Sequence, residues 1–205
     1  MLNIHSIFKS IQGEGPFAGT PAVFVRFAGC NMQPRCSFCD TDYTTGAKMM
    51  EELQIAEEIE RLASPHIRLV VITGGEPFAQ EFGGLVYIIK QRPLADMTIQ
   101  IETNGAVWLS NFPYSFVTIV CSPKHMPVSP AFLQYDHVNS WKFLVDSTSK
   151  NPAKGCPAPP DRIFIQPIDV RDAAQNKRNI DRAVELCLEN GYHLSLQLHK
   201  FISIP

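Results

Sequence analysis

The sequence predicts an α/β fold in which a mostly parallel sheet forms an open, partial barrel with trimmed helices. Short apolar runs rich in β-branched residues alternate along the chain with segments of helical periodicity, which is typical of parallel α/β proteins. The chain has 205 residues, whereas a closed barrel of eight β/α units typically needs about 250. Since no linker or internal repeat divides the chain, we expect one domain over residues 1–205.

Seven segments predict strands because each is short, apolar and rich in Val, Ile or aromatic residues. Several are nearly continuous in apolar residues rather than alternating, as parallel strands covered on both faces are. The segments are 22–27, 68–72, 98–101, 117–121, 141–145, 163–165 and 193–198.

Three segments between these strands predict helices. In 50–63 the apolar residues recur at helical spacing: Leu53, Ala56, Ile59 and Leu62. In 179–190 one face holds Ile180, Ala183, Val184, Cys187 and Leu188, and Gly191 stands where a C-terminal cap belongs. The third segment is 84–91. The proline-containing stretches 123–130 and 151–160 leave little room for crossover helices, which is why the helices are expected to be trimmed.

The charge balance favours a small-molecule substrate. The 18 basic and 20 acidic residues give a net charge of -2, and no run of like charge predicts a tail that grips nucleic acid. No stretch approaches the ~18 apolar residues of a membrane span, and residues 1–10 lack the features of a secretory signal. We therefore expect no nucleic-acid or membrane partner and a cytoplasmic location.

Three of the six cysteines, Cys30, Cys36 and Cys39, fall within ten residues directly after a predicted strand. Three thiolates at short spacing can bind three irons of a [4Fe–4S] cluster and leave the fourth iron open. A structural zinc site is the alternative, but zinc usually takes four protein ligands, for which His5 or Asp40 would have to be recruited. Unreactive cysteines are the third possibility. The residues alone favour the cluster and leave the other two open.

A glycine turn follows the next predicted strand. Its residues are Thr73, Gly74, Gly75, Glu76 and Pro77, and two glycines let a backbone approach a ligand closely. Taken alone, such a turn is more often an ordinary tight turn. Because the turn and the cysteines both follow strand ends, we expect them to line the same opening.

The cysteine loop and the glycine turn together resemble the radical S-adenosylmethionine superfamily. Within it, eight motifs in order resemble the 7-carboxy-7-deazaguanine synthase family over nearly the whole chain. They are 8–15 (FKSIQGEG), 24–30 (FVRFAGC), 39–42 (CDTD), 71–77 (VITGGEP), 101–105 (IETNG), 122–124 (SPK), 166–167 (QP) and 196–200 (LQLHK). One departure is the cysteine spacing, since the family usually has C-x3-C-x2-C and this chain has C-x5-C-x2-C.

The resemblance implies a radical SAM fold and a carbon–nitrogen lyase activity. In the family, 6-carboxy-5,6,7,8-tetrahydropterin loses ammonia and contracts to 7-carboxy-7-deazaguanine, a step in queuosine-type 7-deazapurine biosynthesis. The implied cofactors are a [4Fe–4S] cluster, S-adenosylmethionine and Mg²⁺. The implied partners are the pterin substrate, a flavodoxin-type electron donor and a second copy of the chain in a homodimer.

The family's cofactor contacts carry over to four stretches of this chain. The implied S-adenosylmethionine residues are Phe38, Asp40, Gly74, Gly75, Glu76, Ser122, Pro123, Lys124, Gln166, Pro167, Ile168 and Asp169, with Cys30, Cys36 and Cys39 on the cluster. Glu76 suits the ammonium of the cofactor, and stabilisation of its own turn is the less favoured alternative. Lys124 would otherwise be an ordinary solvated side chain.

The substrate contacts carry over in the same way. The implied residues are Ile11, Gln12, Gly13, Glu14, Arg26, Thr73, Glu102, His199 and Pro205. Carboxylates such as Glu14 and Glu102 suit the N–H donors of a pterin, and Arg26 suits its carboxylate. Pro205 would contribute the terminal carboxylate of the chain. Thr41 is implied as a ligand of Mg²⁺, although a threonine there would also cap a turn.

Two other functions remain as alternatives at this point. One is a different radical S-adenosylmethionine enzyme, such as an activase that places a glycyl radical on a protein. The other is a zinc-stabilised binding module without catalysis. Motifs 8–15 and 24–30 favour a pterin-sized pocket over a broad docking groove.

Overall fold

The computed structural model describes residues 1–63, 65–134 and 137–204. The strands of these residues are β1 (Leu2–Ile11), β2 (Pro21–Phe27), β3 (Lys48–Met50), β4 (Leu69–Gly74), β5 (Thr98–Thr103), β6 (Thr118–Cys121), β7 (Val138–Val145), β8 (Ile163–Pro167) and β9 (His193–Leu194). The α-helices are α1 (Glu52–Leu62), α2 (Gly83–Gln91), α3 (Pro130–Gln134), α4 (Ala173–Asn190) and α5 (Leu198–Ile202).

All of these strands belong to one sheet in the order β3-β1-β2-β4-β5-β6-β7-β8-β9. β1 is antiparallel to both β2 and β3, whereas every pair from β2 to β9 is parallel. β3 and β9 lie at the two ends of this order, so the sheet is open, and the predicted partial barrel is confirmed. Parallel strands end at the same edge, which brings the loops after β2, β4, β5, β6, β7 and β8 together.

One face of the sheet packs in the apolar core, and the other face lines the candidate site. Ile72, Ile101 and Phe143 belong to the main apolar core beneath the helices, while their neighbours Glu102 and Lys142 point to the opposite face. Successive side chains of a strand alternate between faces, so one strand serves both the core and the site. No helix of the described residues is both long and apolar enough to cross a membrane.

The three predicted helices are present, with differences at their ends and faces. Helix α2 agrees closely with segment 84–91, and α1 begins after Met50, which lies in β3. Helix α4 begins at Ala173, and Gly191 caps it in the left-handed region at φ 72°. The predicted apolar face of α4 is partly wrong, because Leu188 is 82% exposed while Leu186 is buried.

Six of the seven predicted strands are confirmed, with shifted ends. The prediction for 193–198 is wrong beyond Leu194, because Ser195 and Gln197 turn inward to hydrogen-bond side chains of the site and the chain then enters α5. β1 and β3 are not among the strands predicted from the sequence. An irregularity in register between Ile4 and Ser6 interrupts the two-residue alternation of β1, which removed the signal for a half-buried strand.

Candidate active site

Two adjoining cavities lie at the carboxyl edge of the parallel strands. The larger, of about 210 Å³, is the cysteine cavity, named for Cys30, Cys36 and Cys39 in its wall. The smaller, of about 160 Å³, is the arginine cavity, named for Arg26. Their walls share Glu14, Asp40, Thr41, Thr73, Glu102, Lys142 and Gln197. The two cavities therefore form one site with two compartments.

The three cysteines of the loop after β2 are free thiols, and none is fully buried. Their convergence on one cavity fits a cluster that takes one thiolate on each of three irons. The two candidates for a fourth zinc ligand have other partners: His5 contacts Ser6, and Asp40 pairs with Lys200. The donor set thus fits the cluster better than zinc. Partial burial raises the pKa of the Cys30 thiol.

Arg35, which lies in the longer first interval between the cysteines, fixes the path of the loop. Its guanidinium donates hydrogen bonds to the carbonyl oxygens of Cys39 (3.2 Å) and Thr41 (2.9 Å). It also lies over the Tyr43 ring, 4.9 Å from the centroid. The longer interval therefore supplies a cation that ties the middle of the loop to the segment from Cys39 to Tyr43.

The residues predicted to bind S-adenosylmethionine gather in the cysteine cavity. Its wall contains Phe38, Asp40, Gly74, Gly75, Glu76, Ser122, Lys124, Gln166, Pro167, Ile168 and Asp169. Pro123 is not part of the wall and instead links Ser122 to Lys124. Four loops that are distant in sequence thus meet here, and their contacts with the cofactor stay a prediction.

Gly74 and Gly75 allow the glycine turn to approach the cysteine loop. A Cβ atom on Gly75 would lie 1.7 Å from the carbonyl oxygen of Gly29, and one on Gly74 would lie 2.1 Å from that of Phe27. Gly74 also has φ 133°, which an L side chain rarely adopts. Both glycines are therefore required by packing between two backbones, in addition to lining the cavity.

Glu76 is buried and anchors the turn. Its carboxylate accepts hydrogen bonds from the Thr103 hydroxyl (2.7 Å), the Asn104 backbone N–H (2.7 Å) and the Phe78 backbone N–H (3.1 Å). Burial raises the pKa of Glu76 despite these donors. Turn stabilisation is thus one role of Glu76, and its contact with the cofactor stays a prediction.

Lys124 is not a solvated surface side chain. Its Nζ donates to the carbonyl oxygen (2.7 Å) and the hydroxyl (2.6 Å) of Ser122. Burial, followed by repulsion from Lys142, lowers the pKa of Lys124 to about 8. The side chain therefore carries a positive charge at neutral pH within the cysteine cavity.

The residues predicted to bind the substrate gather in the arginine cavity. Its wall contains Ile11, Gln12, Gly13, Glu14, Arg26, Thr73, Glu102 and His199. Pro205 lies outside the described residues. The Nε atom of Arg26 is buried without a hydrogen-bond partner among the described residues, and its guanidinium lies 5.2 Å from the centroid of the Phe8 ring. A buried, unpaired guanidinium N–H favours an anionic ligand.

Lys142 joins the two predicted carboxylates. Its Nζ donates to Glu14 at 2.6 Å and to Glu102 at 2.9 Å. Burial alone would raise the pKa of Glu14, but attraction to Lys142 and hydrogen bonds from Lys142 and Gln197 lower it to about 2. The same attraction raises the pKa of Lys142 despite its burial. Glu14 and Lys142 therefore form an ionised pair in the wall that the cavities share.

Comparison with known proteins agrees with this arrangement. The model of the radical SAM superfamily matches residues 24–110. The 7-carboxy-7-deazaguanine synthase of Rickettsia prowazekii is 39% identical, over 99% of this chain and 88% of its own length. The 7-carboxy-7-deazaguanine synthase of Bacteroides thetaiotaomicron is 35% identical, over 100% of this chain and 99% of its own length. The chain belongs to the 7-carboxy-7-deazaguanine synthase family. The crystal structure of QueE from Escherichia coli shares the fold, with a TM-score of 0.75, 22% identity and coverage of 96% of this chain and 93% of that chain.

Sequence reasoning missed several residues of this family member's site. Asn104 donates to Asn31 at 2.7 Å and connects the end of β5 to the cysteine loop. The His125 ring lies 4.0 Å from the Cys36 sulfur. Lys142 was also missed, although a lysine between apolar residues of a predicted strand was a signal for a buried charge. Asn104 had a signal too, since it stands in motif 101–105.

The short helix α5 is tied to this family member's site by Lys200. Its Nζ lies 2.5 Å from Asp40, beside Cys39, and 2.9 Å from Asp169, after β8. The hydrogen bond from Lys200 holds the pKa of Asp169 at about 2. In addition, the Leu198 backbone N–H donates to the carbonyl oxygen of Gly13 at 3.1 Å. These contacts hold α5 against both compartments.

Replacing Lys200 with alanine is expected to speed amide exchange across α5 by roughly tenfold. The reason is that α5, the cysteine loop and the loop after β8 lose the cation that links them. Hydrogen exchange followed by mass spectrometry checks this. Lys177→Ala is the matched control, because among the described residues Lys177 pairs only with Asp181 on α4, and its side chain is 70% exposed. Equal exchange in both variants would show that Lys200 does not hold the helix.

Proposed function

We propose that this chain is a radical S-adenosylmethionine enzyme that converts 6-carboxy-5,6,7,8-tetrahydropterin to 7-carboxy-7-deazaguanine with loss of ammonia. The observation that carries the proposal is the shared wall of the cysteine and arginine cavities. A cofactor that generates a radical needs its target within contact distance, and a shared wall allows this. The compact arginine cavity suits a small molecule better than the protein substrate of an activase.

The cysteine cavity is the proposed site of the cluster and S-adenosylmethionine. Cys30, Cys36 and Cys39 would hold three irons, and the bound pair supplies a 5′-deoxyadenosyl radical. The charged Lys124 suits the carboxylate of the cofactor, and Glu76 has a carboxylate in the same wall. The remaining proposed contacts are Phe38, Asp40, Gly74, Gly75, Ser122, Pro123, Gln166, Pro167, Ile168 and Asp169.

The arginine cavity is the proposed site of the pterin. Arg26 would bind the substrate carboxylate, because its buried Nε has a hydrogen to donate and no described partner. Glu14 and Glu102 would accept from the N–H groups of the pyrimidine ring. Ile11, Gln12, Gly13, Thr73 and His199 would complete the pocket, with Pro205 as a further proposed contact.

Magnesium is a separate part of the proposal and rests on Thr41. This residue lies in the wall common to both cavities, and its hydroxyl takes part in none of the hydrogen bonds among the described residues. A hydroxyl with a free oxygen lone pair, together with substrate oxygens, suits a hard cation.

Removing Mg²⁺ with a chelator is expected to slow product formation, and adding Mg²⁺ should restore it. In Thr41→Val the apparent Mg²⁺ affinity should fall about 10- to 100-fold, since a ligand is lost. Steady-state rates across a magnesium titration measure this. Thr148→Val is the control, because the Thr148 hydroxyl lies on an exposed turn and donates to Asp146 alone in the part of the chain that the structure describes. An unchanged response in Thr41→Val would refute the assignment.

A single reaction tests the main proposal. The chain is reconstituted anaerobically with iron and sulfide, then given the carboxytetrahydropterin, S-adenosylmethionine, Mg²⁺ and a reductant. We expect a product that is lighter than the substrate by one ammonia and has the chromatographic mobility of 7-carboxy-7-deazaguanine. Cleavage of S-adenosylmethionine without this product would favour a different radical enzyme. A colourless protein without iron would favour the zinc-binding module.

Two partners complete the proposal. A flavodoxin-type protein would deliver the electron that the cluster needs, and two copies of the chain would form a homodimer. Support for the dimer comes from large apolar side chains left exposed, including Leu188 and Phe201. The molar mass of the reconstituted protein in solution tests the oligomeric state.

A further inference from the structure

Lys142 has an N–H group that the contacts of the described residues do not use. An ammonium carries three donors, and Nζ of Lys142 gives two of them, to Glu14 and Glu102. The side chain is only 6% exposed, yet it lines both the cysteine and the arginine cavity. A buried donor without a partner is costly, so the third N–H calls for an acceptor on a bound molecule.

The neighbours of Lys142 hold it in one orientation. Glu14 comes from the loop after β1, Glu102 from β5 and Lys142 from β7, so three parts of the fold fix the group. Gln197 donates to the second oxygen of Glu14 at 2.8 Å, and Gln100 donates to the second oxygen of Glu102. Each carboxylate oxygen can accept a second hydrogen bond. The group therefore presents one donor beside several acceptors.

That pattern matches one edge of the ring system of a pterin. Along this edge a pterin has the carbonyl oxygen at position 4, then the N–H at position 3, then the amino group at position 2. An ammonium beside a carboxylate offers a donor followed by two acceptors, which is the complementary order. A 4-amino pteridine differs at two points, since position 4 becomes a donor and ring nitrogen 3 becomes an acceptor.

We propose that Lys142 donates to the 4-oxo group of the pterin while an adjacent carboxylate accepts from N3–H and the 2-amino group, so that the site selects 4-oxo over 4-amino pteridines. This inference rests on the proposed function and adds the residue that determines ring specificity. A 4-amino ring would set a donor against the ammonium and a lone pair against the carboxylate, so both contacts become repulsive.

The test compares two fluorescent ligands on the reconstituted protein with S-adenosylmethionine bound. They are 6-carboxypterin and 2,4-diaminopteridine-6-carboxylic acid, which share the ring skeleton, the 2-amino group and the carboxylate for Arg26. Titration at neutral pH should give a dissociation constant about 100-fold higher for the diamino ligand. A difference below about tenfold overturns the inference while leaving the proposed function intact. Binding of neither ligand would contradict both.

Variants of Lys142 assign the selectivity to this side chain. Lys142→Met should weaken 6-carboxypterin binding by about 10- to 100-fold and bring the two dissociation constants to within tenfold, because the donor is lost. Lys142→Arg keeps donors and should keep the preference. Cluster absorbance and thermal unfolding report whether each variant is folded. A folded Lys142→Met protein with the wild-type preference overturns the inference, and the wild-type comparison decides it if that variant does not fold.

Discussion

Replacing Cys36 with alanine is expected to abolish assembly of the cluster and, with it, cleavage of S-adenosylmethionine. Two thiolates remain in the cysteine cavity, which leaves two irons of the cluster without a protein ligand. The loop should keep its path, since Arg35 holds it through the carbonyl oxygens of Cys39 and Thr41 rather than through Cys36. The iron content, the charge-transfer absorbance and the yield of 5′-deoxyadenosine measure the effect, and each should fall to background.

Cys156→Ala is the matched control for this experiment. Cys156 is also a free, partly exposed cysteine, but it packs against the apolar core and is not part of the wall of the cysteine cavity. This variant should assemble the cluster and cleave the cofactor at wild-type rates. Formation of 5′-deoxyadenosine by Cys36→Ala at more than a background rate would contradict the cluster assignment.

Replacing Arg26 with alanine is expected to separate cofactor cleavage from product formation. Arg26 lines the arginine cavity and is not part of the wall of the cysteine cavity, so the cluster and its cofactor should bind normally. Loss of a charge-assisted bond to the substrate carboxylate costs about 1.5–3 kcal/mol, or about 10- to 100-fold in substrate affinity. The ratio of 7-carboxy-7-deazaguanine to 5′-deoxyadenosine should fall by a similar factor.

Two controls separate this effect from a general loss of charge or of packing. Arg61→Ala removes an arginine that pairs with Glu58 on α1, away from both cavities, and should leave the product ratio unchanged. Arg26→Lys keeps the positive charge but loses the planar pair of guanidinium donors that can bind both oxygens of a carboxylate. This variant should therefore recover only part of the substrate affinity. A wild-type product ratio in Arg26→Ala would remove Arg26 from the substrate site.

Much of the site could be predicted from sequence because its residues stand next to strand ends. The cysteines after β2, the glycines after β4 and Ser122 after β6 all follow apolar runs that are readily identified. Parallel topology then brings these positions to one edge without further information. The open sheet followed in the same way from the length of the chain and from the scarcity of helical segments.

Other features depend on contacts that local pattern does not encode. Lys142 stands in a buried strand, and only the fold shows that Glu14 and Glu102 approach it from 128 and 40 residues away in sequence. The segment after Leu194 looked like a continuing strand because Leu196 and Leu198 alternate with polar residues. Hydrogen bonds from Ser195 and Gln197 to Gln166 and Glu14 redirect it into α5.

The proposed function requires the cysteine and arginine cavities to place the cofactor radical against C6 of the pterin. Substrate carrying deuterium at C6 tests it most directly, with 5′-deoxyadenosine analysed by mass spectrometry. We expect the nucleoside to gain deuterium in the same turnovers that yield 7-carboxy-7-deazaguanine. Product formed together with 5′-deoxyadenosine that contains no deuterium would refute this arrangement, because the two compartments would then not bring the radical to C6.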